Sequence, residues 1–167
     1  NECIRFAKAV EPFNLTWLEE PLHWYLQPSD FAKLSQATTI PLAHGERLYD
    51  RFTARDFIEN GGIKFIQMDS TRHLGITEHL RIAHMAEQNG IFIAPHLAPE
   101  MHGHLVSAFP RAGFIAESHG DPDRNPLWHG GLFDKKAEIK DGYLHLNESA
   151  GFGYNINWDF VDKYRVN

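Results

Sequence analysis

Apolar positions fall into two spacings that take turns along the chain. Cys3, Ile4, Ala7 and Val10 recur at helical intervals, and Pro12 ends that run. Leu15 to Pro21 then predicts a strand. Ser29-Asp30 ahead of Phe31 and Leu34 predicts a capped helix start. A short strand over Ile40 to Ala43 runs into His44-Gly45-Glu46. Phe52, Ala54, Phe57 and Ile58 predict a helix stopped by Gly61-Gly62, and Phe65 to Met68 a strand ending in Asp69. The scheme then repeats. Gly75 precedes a helix whose expected buried side is Ile76, Leu80, Ala83 and Ala86, with Asn89-Gly90 at its end. Ile91 to His96 predicts a strand, Met101 to Phe109 a helix stopped at Pro110, and Gly113 to Ala116 a strand running into Glu117.

Strand–helix alternation of this kind implies βαβ units, so parallel strands covered by helices. The last third changes character. Ala137 to Ile139, the Asp141-Gly142 turn and Tyr143 to Leu146 predict a β-hairpin, and Asp159 to Tyr164 a closing helical turn. Residues 1–134 are therefore expected to form the α/β unit and 135–167 a hairpin and closing segment.

Each predicted strand ends in a titratable residue: Glu19, Glu46, Asp69, His96 and Glu117. They recur every ~25 residues, compatible with compact units of a (β/α)8 TIM barrel, whose average is about 31 residues per unit. Such a barrel builds its active site at the C-terminal ends of its strands. A doubly wound sheet also fits the alternation, but its strands need not each end in a titratable group.

Composition narrows the classes. The chain has 167 residues, 43% of them hydrophobic, a net charge of −6 and one cysteine. That apolar fraction suits a folded globular protein rather than a disordered chain. The lone Cys3 cannot form an internal disulfide, which fits a reducing, cytoplasmic setting. No run approaches the ~18 apolar residues of a membrane helix. The acidic balance gives no electrostatic footprint for nucleic acid.

Two hard carboxylate ligands on neighbouring strand ends, Glu19 and Glu46, suit Mg²⁺. Zinc is disfavoured by the lack of a Cys pair or a His-x-x-x-His spacing. Asp69 and His96 end the next two strands, and a carboxylate beside an imidazole makes a competent general base. Most of the 11 histidines carry no such argument. His79 and His84 are expected to face solvent. His102 and His104, two apart on a helix, point in different directions, and His119, His129 and His145 fall in loop or hairpin sequence. His23 and His44, near the two acidic sites, are candidates for substrate contact, with Arg47.

The segments WLEEP, HGE, IQMDSTRHLGITEHLRIA and IAPHL, in this order, resemble the enolase superfamily and within it the mandelate racemase subgroup. APHLAPEMHGHL, FPRAGFIAES and DGYLHLNESAGFGYNINWDFV resemble the tail of its acid-sugar dehydratases. The resemblance implies that Glu19, first of the Glu-Glu pair, and Glu46 are Mg²⁺ ligands. It implies that Asp69 and His96 form an Asp–His dyad with His96 as the base. Glu117 matches the acidic group that hydrogen-bonds the enediolate. The family's third metal ligand, an Asp on the preceding strand, and its Lys-x-Lys pair have no counterpart before Glu19. The sequence therefore reads as strands four to eight of a barrel plus a closing segment, whose expected partners are an N-terminal barrel half and a capping domain, in a homo-oligomer when complete.

The implied reaction is removal of the proton alpha to a carboxylate, made possible by Mg²⁺ neutralising the second charge as it develops. Loss of the β-hydroxyl as water would turn a sugar acid into a 2-keto-3-deoxy acid, with His96 as the acid for that departure. Reprotonation on the opposite face would instead make a racemase or epimerase. A half-barrel without activity of its own is the alternative from another class.

Overall fold

A computed structural model describes residues 1–73, 75–118 and 131–166. Helix α1 (Glu2–Val10) is followed by a 3-10 turn over Glu11–Phe13. Four strands then alternate with helices: β1 (Leu18–Glu19), α2 (Pro28–Ala37), β2 (Leu42–His44), α3 (Arg51–Asn60), β3 (Phe65–Ile66), α4 (Gly75–Gln88), β4 (Phe92–Ile93) and α5 (Pro99–Ser107). All four strands are parallel and lie in the order β1-β2-β3-β4. A separate antiparallel hairpin pairs β5 (Glu138–Lys140) with β6 (Tyr143–His145), and a closing helix spans Trp158–Lys163. The expected α/β architecture with a terminal hairpin is present.

Local chemistry explains the boundaries. Asp50 caps α3 by accepting from the Phe52 and Thr53 amides. The Asp30 carboxylate turns back to the Gln27 amide at 3.3 Å, so α2 starts at Pro28, one residue before the predicted Ser29-Asp30 signal. Asp141 and Gly142, with φ of 53° and 80°, give the hairpin the left-handed turn its strand twist needs. The strands are shorter than their apolar runs, although parallel bonds continue one residue past them, as in Glu20 N–H to Ala43 O and Gln67 N–H to His44 O. The predicted fifth strand reduces to a single parallel bridge, Ile93 to Gly113, flanked by Ile93 N–H to Ala112 O and Phe114 N–H to Ile93 O.

Side chains along each strand alternate between two cores. Leu18, Leu42, Ile66 and Ile93 face the helices and join the larger core, with Phe31, Leu34, Phe57, Ile82 and Ala83. The other face is lined by Ala43, Phe65 and Ala94, with Trp17 and Phe92 packed against them. The sheet curls around this inner face. Trp17 precedes the first strand and Phe114 follows the last bridge, yet their rings lie 6.1 Å apart, with Phe65 between them at 5.0 and 4.9 Å.

One helical face departs from expectation. His79 is buried, at 2% exposure, not solvent-facing. The buried stripe of α4 is His79, Ile82, Ala83 and Ala86, one helical face at i, i+3, i+4 and i+7, with Glu78 buried beside it. Ile76 and Leu80 sit at its margin, so counting an imidazole as polar displaces the predicted stripe. His84 is exposed as expected.

Gly45 follows β2 with φ of +141°, and a Cβ there would stand 2.9 Å from the Gln67 backbone nitrogen. Gly45→Ala is expected to cost about 1–3 kcal/mol in a denaturant titration. Gly90→Ala, also at positive φ but in open space, should cost about 1–2 kcal/mol from its conformation alone. Equal losses would show that the close approach at Gly45 is easily relieved. Burial, with His102 and His73 nearby, lowers the His79 pKa to about 3. A depressed imidazole contributes stability above its unfolded pKa near 6.5, and that contribution is lost as pH falls toward 3. Urea midpoints measured from pH 7 to pH 3 should therefore fall less steeply in His79→Leu than in the wild type; an unchanged slope would remove His79 from the acid response.

Candidate active site

The inner face of the sheet delivers its polar residues to one end. Glu19, Gly45, Gln67, Asp69, Ala94 and His96 continue the inward parity of Trp17, Ala43, Phe65 and Phe92. Gly45 has no side chain there, and across that gap Gln67 Nε2 donates to Glu19 Oε2 at 2.8 Å. Trp17 Nε1 donates to the same oxygen at 3.0 Å.

Asp69 and His96 meet directly. His96 Nδ1 lies 2.9 Å from Asp69 Oδ2, and Asp69 is fully buried. The other Asp69 oxygen accepts from the Thr71 amide at 2.8 Å and the Thr71 hydroxyl at 2.6 Å. Burial opposes ionisation of Asp69, but His96 and the two Thr71 bonds outweigh it and hold the carboxyl down at about 2. The imidazole of His96 is shifted the other way. Burial favours its neutral form, yet the Asp69 bond and the charges of Glu46 and Glu117 raise its pKa, against Arg72.

Glu46 closes the far side of the imidazole. Its Oε2 lies 3.2 Å from His96 Nε2, while its Oε1 lies 3.0 Å from Arg72 Nη1 and 3.4 Å from Arg47 Nε. Arg72 Nε also lies 3.5 Å from Asp69 Oδ2. His96 is thus flanked by a carboxylate at each nitrogen, an arrangement that favours the imidazolium. Glu117 Oε2 accepts the Leu97 amide at 2.8 Å, which holds the chain just past His96.

The remaining predicted contacts divide. Arg47 sits on the rim, its guanidinium 5.9 Å from the centre of the Trp24 ring. The His23 ring lies 3.8 Å from Tyr25, beside Trp24, in the same exposed loop. His44 does not reach the mouth, contrary to the substrate contact expected for it. It points outward from β2, is 0% exposed, and packs 4.5 Å from both the Phe31 and Phe57 rings. Its Nδ1 lies 3.2 Å from Glu20 Oε1, and Glu20 takes a left-handed φ of 38°. Burial works against the Glu20 charge, but His44, Arg47 and His96 together keep its pKa low. His119 and His129 lie outside the described residues.

Several residues of the mouth had no advance signal or a faint one. Gln67 stands two before Asp69, so strand alternation alone puts it on the same face. Arg72 and Thr71 follow from the tight turn after Asp69, where the Arg72 and His73 amides bond back to its carbonyl. His102, from α5, is drawn in by tertiary structure only; His104 two positions on turns away to Phe152, as their spacing implied.

Glu19 and Glu46 are hard oxygen donors on adjacent strand ends. Mg²⁺ is commonly held by one or two carboxylates, with water and substrate filling its octahedron, so the donor chemistry fits. Among the described residues no group of three His, Cys, Asp or Glu is arranged around a metal position. No helix among them is long and apolar enough to cross a membrane.

Comparison with known proteins agrees with this arrangement. The profile of a family described as "Enolase C-terminal domain-like" matches residues 1–160. The L-talarate/galactarate dehydratase of Salmonella typhimurium is 32% identical over 155 residues, covering 93% of this chain and 37% of that protein. A D-galactonate dehydratase of Klebsiella pneumoniae is 39% identical over 163 residues, covering 92% of this chain and 42% of its own. The crystal structure of L-talarate dehydratase from Polaromonas sp. JS666, complexed with Mg and L-glucarate, superposes with a TM-score of 0.84 at 32% identity. That superposition covers 96% of this chain and 42% of the other. The chain spans less than half the length of these relatives, and its parallel sheet corresponds to the C-terminal part of their barrel. It belongs to the enolase superfamily, in the C-terminal domain of the mandelate racemase/muconate lactonizing enzyme family.

Proposed function

We propose that this chain carries the proton-abstracting side of an acid-sugar dehydratase site. The observation that carries the reading is the Asp69–His96 contact at 2.9 Å, with His96 Nε2 directed to the mouth beside Glu46. The similarity to dehydratases of talarate, galactarate and galactonate supports a polyhydroxy acid as substrate.

In this reading the base is the neutral form of His96: Asp69 holds the ring with its Nδ1 proton inward, and Nε2, once it has given up the proton it shares with Glu46, takes the one alpha to the substrate carboxylate. His96 then holds that proton on the side from which the β-hydroxyl leaves, and returns it as water departs. Glu117 reaches the enediolate oxygen, and a proton carried there would be donated as charge develops. Glu19 and Glu46 would hold Mg²⁺, with Gln67 and Arg72 steering their carboxylates. Bound there, the ion supplies positive charge opposite the developing enediolate. Arg47 and His23, on the rim beside Trp24, contact the far end of the sugar chain. His44 serves from the outer face, by holding Glu20.

The test is incubation of the full chain with galactonate, galactarate or talarate and Mg²⁺ in D₂O. The assay follows 2-keto acid formation and deuterium alpha to the carboxylate. Keto acid from at least one of them is expected, and His96→Asn should lower both product and exchange by about 10²–10⁴-fold, the scale of a lost general base. Exchange without elimination would point to racemisation instead. Absence of both in the wild-type chain, with all three acids, would overturn the assignment.

A further inference from the structure

Beyond the last ladder bond between β3 and β4, Ala94 N–H to Ile66 O, no main-chain hydrogen bond joins the two segments that carry Asp69 and His96, among the described residues. Yet the dyad sits farther out than that bond. Something other than the sheet must therefore keep the two strand ends in register.

His102 spans the gap. It projects from α5, is 0% exposed, and touches the chain just after each member of the dyad. Its Nε2 accepts from the Ser70 amide at 3.1 Å, directly after Asp69. Its Nδ1 lies 2.7 Å from Leu97 O, directly after His96. A carbonyl oxygen must receive a proton and an amide N–H must give one. Together these two backbone groups select the neutral ring protonated at Nδ1. The Ser70 hydroxyl, 2.7 Å from Nε2, then donates to the ring, and its oxygen faces His79 Nδ1 at 3.4 Å.

The segment being held is strained. Leu97 and Ala98 are consecutive non-glycine residues at φ of 54° and 42°, a conformation that costs about 1–3 kcal/mol per residue and persists only when its surroundings fix it. Leu97 is pinned at both ends of its main chain: Glu117 takes its N–H and His102 bonds its C=O. The Ala98 carbonyl accepts the Met101 and His102 amides. Burial dominates the electrostatics of His102 and lowers its pKa, in keeping with a ring that stays neutral.

We infer that His102 is a positioning residue for the dyad: its neutral imidazole staples the backbone after Asp69 to the backbone after His96, setting the aim of the base without touching substrate. This rests on His96 acting as the base, but the staple itself is measurable without turnover. Glutamine offers an acceptor and a donor at a similar separation, whereas leucine offers neither, so His102→Gln and His102→Leu separate the bonds from the volume.

Long-range ¹⁵N–¹H correlations on the full chain should show His102 as the Nδ1-protonated tautomer from pH 6 to pH 8. A ring protonated at Nε2, or charged, would overturn the inference. Amide exchange at Ser70 should be about 10–100-fold faster in His102→Leu, the scale of a lost buried hydrogen bond, and near wild type in His102→Gln. Uniform acceleration of all slow amides would assign His102 to general packing and overturn the inference. With an active acid sugar, His102→Leu should lower kcat about 100-fold with KM little changed, as for a base misplaced by an ångström, and His102→Gln should recover most of it. A wild-type chain that turns over no acid sugar would defeat the proposed function while leaving the tautomer and exchange results to decide the staple.

Discussion

Alternation of side chains along very short parallel strands governs the whole molecule. Leu18, Leu42, Ile66 and Ile93 turn to the helices, and their sequence neighbours turn inward. Once that parity is set at the ladder, it carries forward to the strand ends. Glu19, Gln67, Asp69 and His96 arrive at one mouth because they share parity with Trp17, Phe65 and Phe92, not because they attract one another. Charge then sorts what parity has gathered. Asp69 is held ionised by His96 and Thr71, Glu46 is shared among Arg47, Arg72 and His96, and Glu19 is held by the neutral donors of Gln67 and Trp17.

This explains why so much of the site was legible in the sequence. A strand end announces itself by an apolar run followed by a polar residue, so Glu19, Glu46, Asp69, His96 and Glu117 could be named from spacing. The outward fate of His44 was also readable in principle, since it shares parity with Leu42 and lies one residue from Ala43. Its polar character and its place beside Gly45-Glu46 pointed the other way. Phe31 and Phe57, far off in sequence, supply the apolar slot that receives it.

What stayed hidden was whatever depends on a turn bringing distant groups together. His79 looks like a surface residue on any hydropathy scale, yet the stripe it completes is closed by His102 and Ser70. His102 itself has no sequence signature, because its partners are the backbone of Ser70 and Leu97. The fifth strand was overestimated for the converse reason. Its apolar run is real, but pairing with Ile93 is limited to the Gly113 bridge and the Ala112 and Phe114 bonds that flank it.

The brevity of the ladders has an evolutionary consequence. With two-residue strands, the distance between a register pair and the residue that acts at the mouth is a short stretch of unpaired chain. A single inserted or deleted residue between Ile66 and Asp69, or between Ile93 and His96, would reverse inside and outside. An insertion would hand Met68 or Pro95 to the mouth in place of the acid or the base, and a deletion would hand it Ser70 or Leu97. Parity thus fixes the length of those stretches, and the bond of Gln67 to Glu19 fixes one residue within them as well. At the Gly90 and Gly142 turns a side chain would meet open space, so backbone conformation and not packing is what limits them. A change in stem length costs the chemistry, whereas a change around the rim leaves the faces of the acid and the base as they are.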